Sequence, residues 1–330
     1  MIYVKMTNSN KSNTLVSFVI LAYNQKEYIV EAIESALLQN YSPMELIISD
    51  DCSSDGTYEV ARKFVSEYNG PHQVIVVKNR ENLGLAENIN ASVALANGEI
   101  ICWAGGDDVS LPGKIEAFVD VLKSDPSLMG VHSYVNEIDM NGAFVGLRRP
   151  AVPKLIRSPE QAICGAIEVI SQSHAFRKSV FAKFGPLGSE VTNESAIMAF
   201  RESCLGGIYL IEKPLTRYRI GVGVSTSRGR TVEELSIGEP LKYANWWFSA
   251  YRQIADDAKK HSINAGLEKI INRRLSYYRA IYEINLIPFN FGALFTSIYS
   301  GGFLAGFKAF VRRNAPKPLL RSIYRQRGWL

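Results

Sequence analysis

Short β-rich apolar runs alternate with stretches of helical periodicity from residue 15 to residue 108, and that rhythm leaves few folds open to this chain. Val16–Ala22 is a β-rich run, and after it Ile29, Ile33, Ala36 and Leu37 fall on one helical face. Asn24 and Glu27 fit a capping box ahead of that helix. Leu46–Ser49 reads as the next strand, Thr57–Tyr68 as a helix closed by Asn69-Gly70-Pro71, and Val74–Val77 as a strand. Leu85–Ala96 reads as a helix stopped by Asn97-Gly98, and Glu99–Trp103 as a further strand. Strand–helix alternation at this spacing implies βαβ units and a mostly parallel sheet, an α/β fold.

The rhythm changes after Asp108. Pro112 suits the first turn of a helix running to about Lys123. Asn141-Gly142, between Glu137–Met140 and Ala143–Leu147, is a hairpin signal. Residues 148–158 read as a basic loop carrying Arg148, Arg149, Lys154 and Arg157. Lys178–Phe184 and Glu194–Cys204 are helical in pattern, and Ile208–Ile220 is extended. Gly221–Arg230 is rich in Gly and Ser without periodicity, which predicts a mobile loop, and Val232–Ile287 predicts two long helices. A domain over residues 1–225 with a helical C-terminal region over 226–330 follows.

Charge is unevenly spread. The chain carries a net +5, yet Ile284–Leu330 holds seven basic residues and no Asp or Glu, which leaves 30 basic against 32 acidic residues elsewhere. The excess points to an anionic surface at one end of the molecule, not to a nucleic-acid-binding body. Four cysteines have neither metal-ligand nor redox spacing and predict free thiols in a reducing, cytoplasmic compartment. The polar N-terminal stretch lacks the apolar core of a signal.

Two acidic runs stand directly after predicted strands. Asp50-Asp51-Cys52-Ser53-Ser54-Asp55-Gly56-Thr57 follows the second strand, where open α/β sheets bind ligands. The pair Asp50-Asp51 can accept hydrogen bonds from a base N–H and from ribose hydroxyls, while Ser54 or Asp55 can cap the next helix. Trp103-Ala104-Gly105-Gly106-Asp107-Asp108 follows a later strand. Carboxylates there suit a divalent cation, Mn or Mg, at a departing diphosphate, and the glycines let backbone approach a nucleotide.

Together with Val16–Asn24, the NLGLAEN run at Asn82–Asn88, Phe184–Leu187, Asn193–Arg201 and Lys213–Arg219, these two runs resemble the family 2 glycosyltransferases of the GT-A fold. The resemblance covers roughly residues 15–225, and its later pieces look most like bacterial enzymes of O-antigen, capsule or exopolysaccharide synthesis. It implies a GT-A-like α/β domain with a mostly parallel mixed sheet that inverts the anomeric centre in a single displacement. Asp51 would contact the base, and Ala22, Tyr23 and Asn24 would line the same pocket. Asp50, Asn82, Asn88, Gly106 and Asp108 would complete the donor site. Asp107 would take the metal position, and the helix at Glu194–Arg201 would present the base. The implied donor is a UDP- or dTDP-linked sugar, and the implied acceptor is a lipid-linked glycan.

The sequence departs from that pattern. Gly105 stands at the first acid of the family's Asp-x-Asp, Glu87 where an Arg often aids phosphate, and Gly221 where a His often follows Tyr-Arg. Ser195 stands at the usual catalytic Asp, so Glu194 becomes the candidate base, with Glu190 behind it. Arg80, Arg219 and His174 are the candidates for phosphate or acceptor contact. Two rivals accompany this reading. A sugar nucleotidylyltransferase would carry a Gly-rich basic loop near its N-terminus, and Val16–Asn24 has none. A degenerate transferase would bind a nucleotide-sugar or partner without turnover.

Ile284–Phe307 contains no charged residue, but its Asn, Pro and Gly content argues against a single spanning helix. Its aromatic residues and the basic run after it predict a peripheral anchor on the inner face of the plasma membrane, with helix packing or a dimer interface as the rival.

Overall fold

The computed structural model describes residues 14–164, 169–222 and 233–326. The N-terminal stretch, most of the predicted Gly-Ser loop and the expected domain boundary at 225–226 lie outside these residues. In chain order the first elements are β1 (Val16–Ala22), α1 (Ile29–Leu37), β2 (Met44–Asp50), α2 (Thr57–Ser66), β3 (Gln73–Lys78), α3 (Leu85–Leu95) and β4 (Ile100–Gly105). Then come β5 (Val109–Ser110), α4 (Lys114–Ser124), β6 (Gly130–Ile138), β7 (Phe144–Arg148), β8 (Leu155–Ile156), α5 (Pro159–Cys164), β9 (His174–Arg177), α6 (Ser179–Phe184), α7 (Glu194–Leu205) and β10 (Ile208–Arg219). Helices α8 (Glu239–Lys260), α9 (Ala265–Leu286), α10 (Phe291–Tyr299), α11 (Phe303–Asn314) and α12 (Lys317–Gln326) close the described chain.

The strands form one mixed sheet in the order β3-β2-β1-β4-β9-β6-β10-β5, with β7 added to β6 and β8 to β10. β3, β2, β1 and β4 run parallel, whereas β9 is antiparallel to both its neighbours. Period-2 alternation explains why both faces are buried. Phe18 and Ile20 of β1 face a core closed by α1, α2 and α4, while Val19 faces one closed by α3, α6, α7, α8 and α9. Ala250, Tyr251 and Ile254 of α8 and Ile271 of α9 share that second core with Phe181, Phe184 and Phe200. The two long C-terminal helices are therefore packed directly onto the sheet-bearing body.

One local expectation changes and two gain detail. Asn24 does not cap α1, because it sits at φ 52 and its side-chain oxygen accepts from the Ser54 N–H at 2.9 Å. The β6–β7 hairpin that Asn141-Gly142 signals does form, the two strands pairing antiparallel, but over a longer loop, in which Asp139 Oδ1 accepts from the N–H groups of Asn141 and Ala143. The basic loop is largely neutralised, with Arg148 paired to Glu137, Lys154 to Glu212 and Arg157 to Asp125. No helix among the described residues is long and apolar enough to cross a membrane.

Candidate active site

Strand register brings the two acidic runs together. Ala22, the last residue of β1, pairs with Asp50 on one side, and Leu21 pairs with Gly105 on the other. Asp51 N–H donates to the Ala22 carbonyl and Gly106 N–H to the Leu21 carbonyl, each at 2.9 Å. Both runs thus leave the sheet at its carboxyl edge, flanking β1 where the strand order reverses, the place where open α/β sheets hold ligands.

The first run is tied down by its own backbone. Asp50 accepts from the Ser53 N–H at 2.9 Å, and its other oxygen is buried without a partner. Asp51 accepts from Asn79 Nδ2, Leu83 N–H and Gly84 N–H, each at 2.9 Å, so it shapes the 79–84 loop. Asp55 accepts from the N–H groups of Lys26 and Thr57. Burial pushes its carboxyl up, but those bonds and the Thr57 hydroxyl outweigh it and hold the pKa below the ordinary value. Asp55 is a helix-start brace, as its position ahead of Gly56, the left-handed residue before α2, suggests.

Other predicted donor residues divide. Tyr23, Asn82 and Arg80 are exposed at this edge, and Ala22 is buried beneath it. Asn88 is a correction: it is buried, accepts from the Ser49 hydroxyl and Asn79 Nδ2, and donates to the Ser49 carbonyl, so its side chain braces β2 against α3.

In the second run a side chain at either glycine would displace its neighbours. A Cβ on Gly106 would come within 2.6 Å of Gln25 Oε1, and one on Gly105 within 2.7 Å of Asp107 Oδ1 and 2.9 Å of Asp108 Oδ2. Both carboxylates fold back over Gly105. Burial raises the Asp107 pKa to about 6. Burial, with repulsion from Asp107 behind it, raises Asp108 well above the ordinary value. Asp108 Oδ1 accepts from the Arg219 N–H at 3.0 Å, and its Oδ2 is buried without a partner. Two crowded carboxylates with a spare oxygen fit a divalent cation whose remaining ligands come from diphosphate and water. Among the described residues no group of three or more His, Cys, Asp or Glu side chains forms a protein-only cage.

Arg219 is a second correction. It is buried, and its guanidinium donates to the Asp107, Asp139 and Met140 carbonyls and to Glu31 while stacking over the Tyr28 ring. It holds the acidic turn with four of its five guanidinium N–H donors. His174 is a third: it is fully buried between β4 and β6 and pairs with the buried Glu202 at 3.0 Å, away from any solvent-facing acceptor. Glu31, Tyr28 and Lys114 carry no spacing signal that would have marked them. Lys114 is fully buried and donates to Ser110 Oγ and to the Gln172 carbonyl, which Thr216 Oγ1 also engages.

That Gln172 contact fixes the turn opposite the start of α7. There the Ser195 hydroxyl lies 2.6 Å from the Ser171 hydroxyl. Glu194, the first residue of α7, is buried, and among the described residues no hydrogen bond or ion pair engages its carboxylate. Glu190 is paired with Arg252 of α8 on an exposed face.

The sequence profile of glycosyl transferase family 2 matches residues 17–185, which include β1 to β4 and both acidic runs. The chain belongs to glycosyl transferase family 2. The chain resembles the Escherichia coli UDP-Glc:alpha-D-GlcNAc-diphosphoundecaprenol beta-1,3-glucosyltransferase WfaP, at 32% identity over 39% of this chain and 51% of WfaP. The chain spans about half the length of the curated relatives it matches. The fold is GT-A-like. It superposes on Staphylococcus aureus TarS 1–349 in complex with UDP-GlcNAc with a TM-score of 0.60 at 15% identity, over 94% of this chain and 91% of that one. It also superposes on the mannosyltransferase PcManGT of Pyrobaculum calidifontis in complex with GDP-Man and Mn2+, with a TM-score of 0.54 at 17% identity, over 97% and 85% of the two chains. Within this family 2 chain the departures at Gly105 and Ser195 have local partners: folded-back carboxylates at the first, a paired hydroxyl at the second.

Proposed function

We propose that this chain transfers a sugar, with inversion, from a UDP- or dTDP-linked donor to a lipid-linked glycan acceptor in bacterial surface polysaccharide synthesis. The observation that carries the reading is the convergence of Asp50-Asp51 and Asp107-Asp108 at the carboxyl ends of β2 and β4, on either side of β1. Asp50 and Asp51 meet the nucleoside, Asp51 retaining lone pairs beyond its three loop bonds. Asp107, with Asp108 beside it, would hold Mn2+ or Mg2+, which neutralises charge on a leaving diphosphate. Glu194 accepts the proton of the acceptor hydroxyl as that oxygen bonds to the anomeric carbon and the bond to the diphosphate breaks. Supporting this are the donor and acceptor named for WfaP and the nucleotide-sugar complexes of TarS and PcManGT. Residues 1–225 would form the catalytic unit, working at the cytoplasmic face of the membrane where a lipid-linked acceptor is presented.

The Ser171–Ser195 hydroxyl pair favours one second reading, a chain that binds nucleotide-sugar without turnover, because a hydroxyl is far too weak a base unaided. A thermal-shift panel of nucleotide-sugars with and without Mn2+ tests the donor half of the proposal. Stabilisation that needs a nucleoside diphosphate, grows with Mn2+ and is lost in Asp107→Asn supports it. A flat panel contradicts it.

A further inference from the structure

Helices α10 and α11 are packed inside out. On α10 the buried positions are Ala293 and Ser297, and on α11 they are Gly306 and Ala309, all small. The large apolar residues face outward: Phe291, Phe295 and Tyr299 at four-residue spacing on α10, then Phe303, Leu304 and Phe307 on α11. Tyr299 is 85% exposed. Small inner residues bring the elements close. A Cβ on Gly306 would lie 1.9 Å from Ser297 Oγ, and one on Gly302 1.9 Å from the Tyr277 ring. Water selects the opposite arrangement, with aromatics inside and small or polar residues outside. Small-residue seams with large apolar residues outward belong to helices whose surroundings are apolar.

We infer that the outer face of α10 and α11 is a membrane-docking surface whose partner is the anionic phospholipid bilayer. Charge selects that partner. No Asp or Glu occurs from residue 284 to the end of the sequence, and Lys308 is exposed on α11 next to Phe307, with Arg321 exposed on α12. Lys317, at the start of α12, is also exposed and makes an ion pair with Glu233. Length sets the depth. At about 1.5 Å per residue neither helix approaches the roughly 30 Å of a hydrocarbon core. The hairpin therefore lies in the headgroup–acyl boundary of one leaflet, aromatics down and basic groups at the phosphates. This deepens the proposal of a lipid-linked acceptor by fixing which face of the molecule meets the membrane.

The test uses the full chain and vesicles of phosphatidylcholine alone or with phosphatidylglycerol. Wild type is expected to sediment with the phosphatidylglycerol vesicles, more weakly with neutral ones, and less as salt rises. Phe295→Gln/Phe303→Gln/Phe307→Gln is expected to lose about tenfold or more in vesicle partitioning. Its thermal transition and nucleotide-induced shift should be unchanged, since none of the three side chains is buried. Those shifts also separate failure of docking from failure of donor binding. Wild type that stays in solution with anionic vesicles overturns the inference, as does a triple variant that partitions like wild type. A dimer in vesicle-free solution that the triple variant dissociates, with vesicle binding absent, overturns it in favour of an interface between two copies.

Discussion

Arg219 donates its backbone N–H to Asp108 Oδ1 at 3.0 Å, while its guanidinium Nε donates to the carbonyl of Asp107 at 2.9 Å. One residue at the end of β10 therefore holds both members of the acidic turn that follows β4. Arg219→Ala leaves the Asp107, Asp139 and Met140 carbonyls without that donor and Glu31 without its partner. Urea denaturation should show a loss on the order of 3 kcal/mol, with Arg219→Lys intermediate. An unchanged midpoint would mean that the turn does not depend on this contact.

His132 predicts an acid-sensitive fold. Burial, with the nearby His174 adding to it, lowers its pKa from 6.5 to about 3. Between those values the unfolded chain holds a proton that the folded chain does not, so this group's contribution is complete above pH 6.5 and is lost as pH falls toward 3. Stability measured across that window should fall with acid, and His132→Leu should flatten the slope. An identical slope in the variant would assign the effect to other groups.

Much of this is legible in the sequence. Apolar runs buried on both faces, such as Phe18-Val19-Ile20 and Leu46-Ile47-Ile48, mark parallel strands from sequence alone, and the acids at their ends mark the ligand edge. β9 was not legible. Four residues, His174–Arg177, have no periodicity of their own and become a strand only because β4 and β6 flank them. The Arg219–Glu31 contact joins residues 188 positions apart, and no local pattern encodes it. Asn24 departs from its local pattern for a related reason: its partner is the Ser54 amide across the sheet edge, not the first turn of its own helix.

Restoring the family's first acid should not help. Gly105→Asp would set a Cβ within 2.7 Å of Asp107 Oδ1 and 2.9 Å of Asp108 Oδ2. Displacement of both carboxylates should weaken Mn2+-dependent stabilisation by nucleoside diphosphate, read by thermal shift. A larger Mn2+ effect than in wild type would show that the turn can reopen around a third acid.

Asp51→Ala should weaken UDP and dTDP binding by about 1–3 kcal/mol, the usual worth of a hydrogen bond to a charged group. It also frees the Leu83 amide and leaves the Gly84 amide with Asn82 Oδ1 alone. Asp51→Asn, which keeps an acceptor for one of them, separates loop order from base contact. Calorimetry that finds wild-type affinity in both folded variants removes the base-contact assignment.

In the proposed mechanism the Glu194 carboxylate, not the Ser195 hydroxyl, takes the acceptor's proton. Glu194→Gln keeps the shape of a buried side chain at the start of α7 and removes only its ability to take a proton. Turnover of this variant, with a lipid-linked acceptor and the donor that stabilises wild type, is the most direct test. With Glu194 as the base, kcat should fall by roughly 10²–10⁴ while donor affinity stays near wild type. Full turnover in Glu194→Gln, or a wild-type protein that binds its donor and never transfers the sugar, would contradict it.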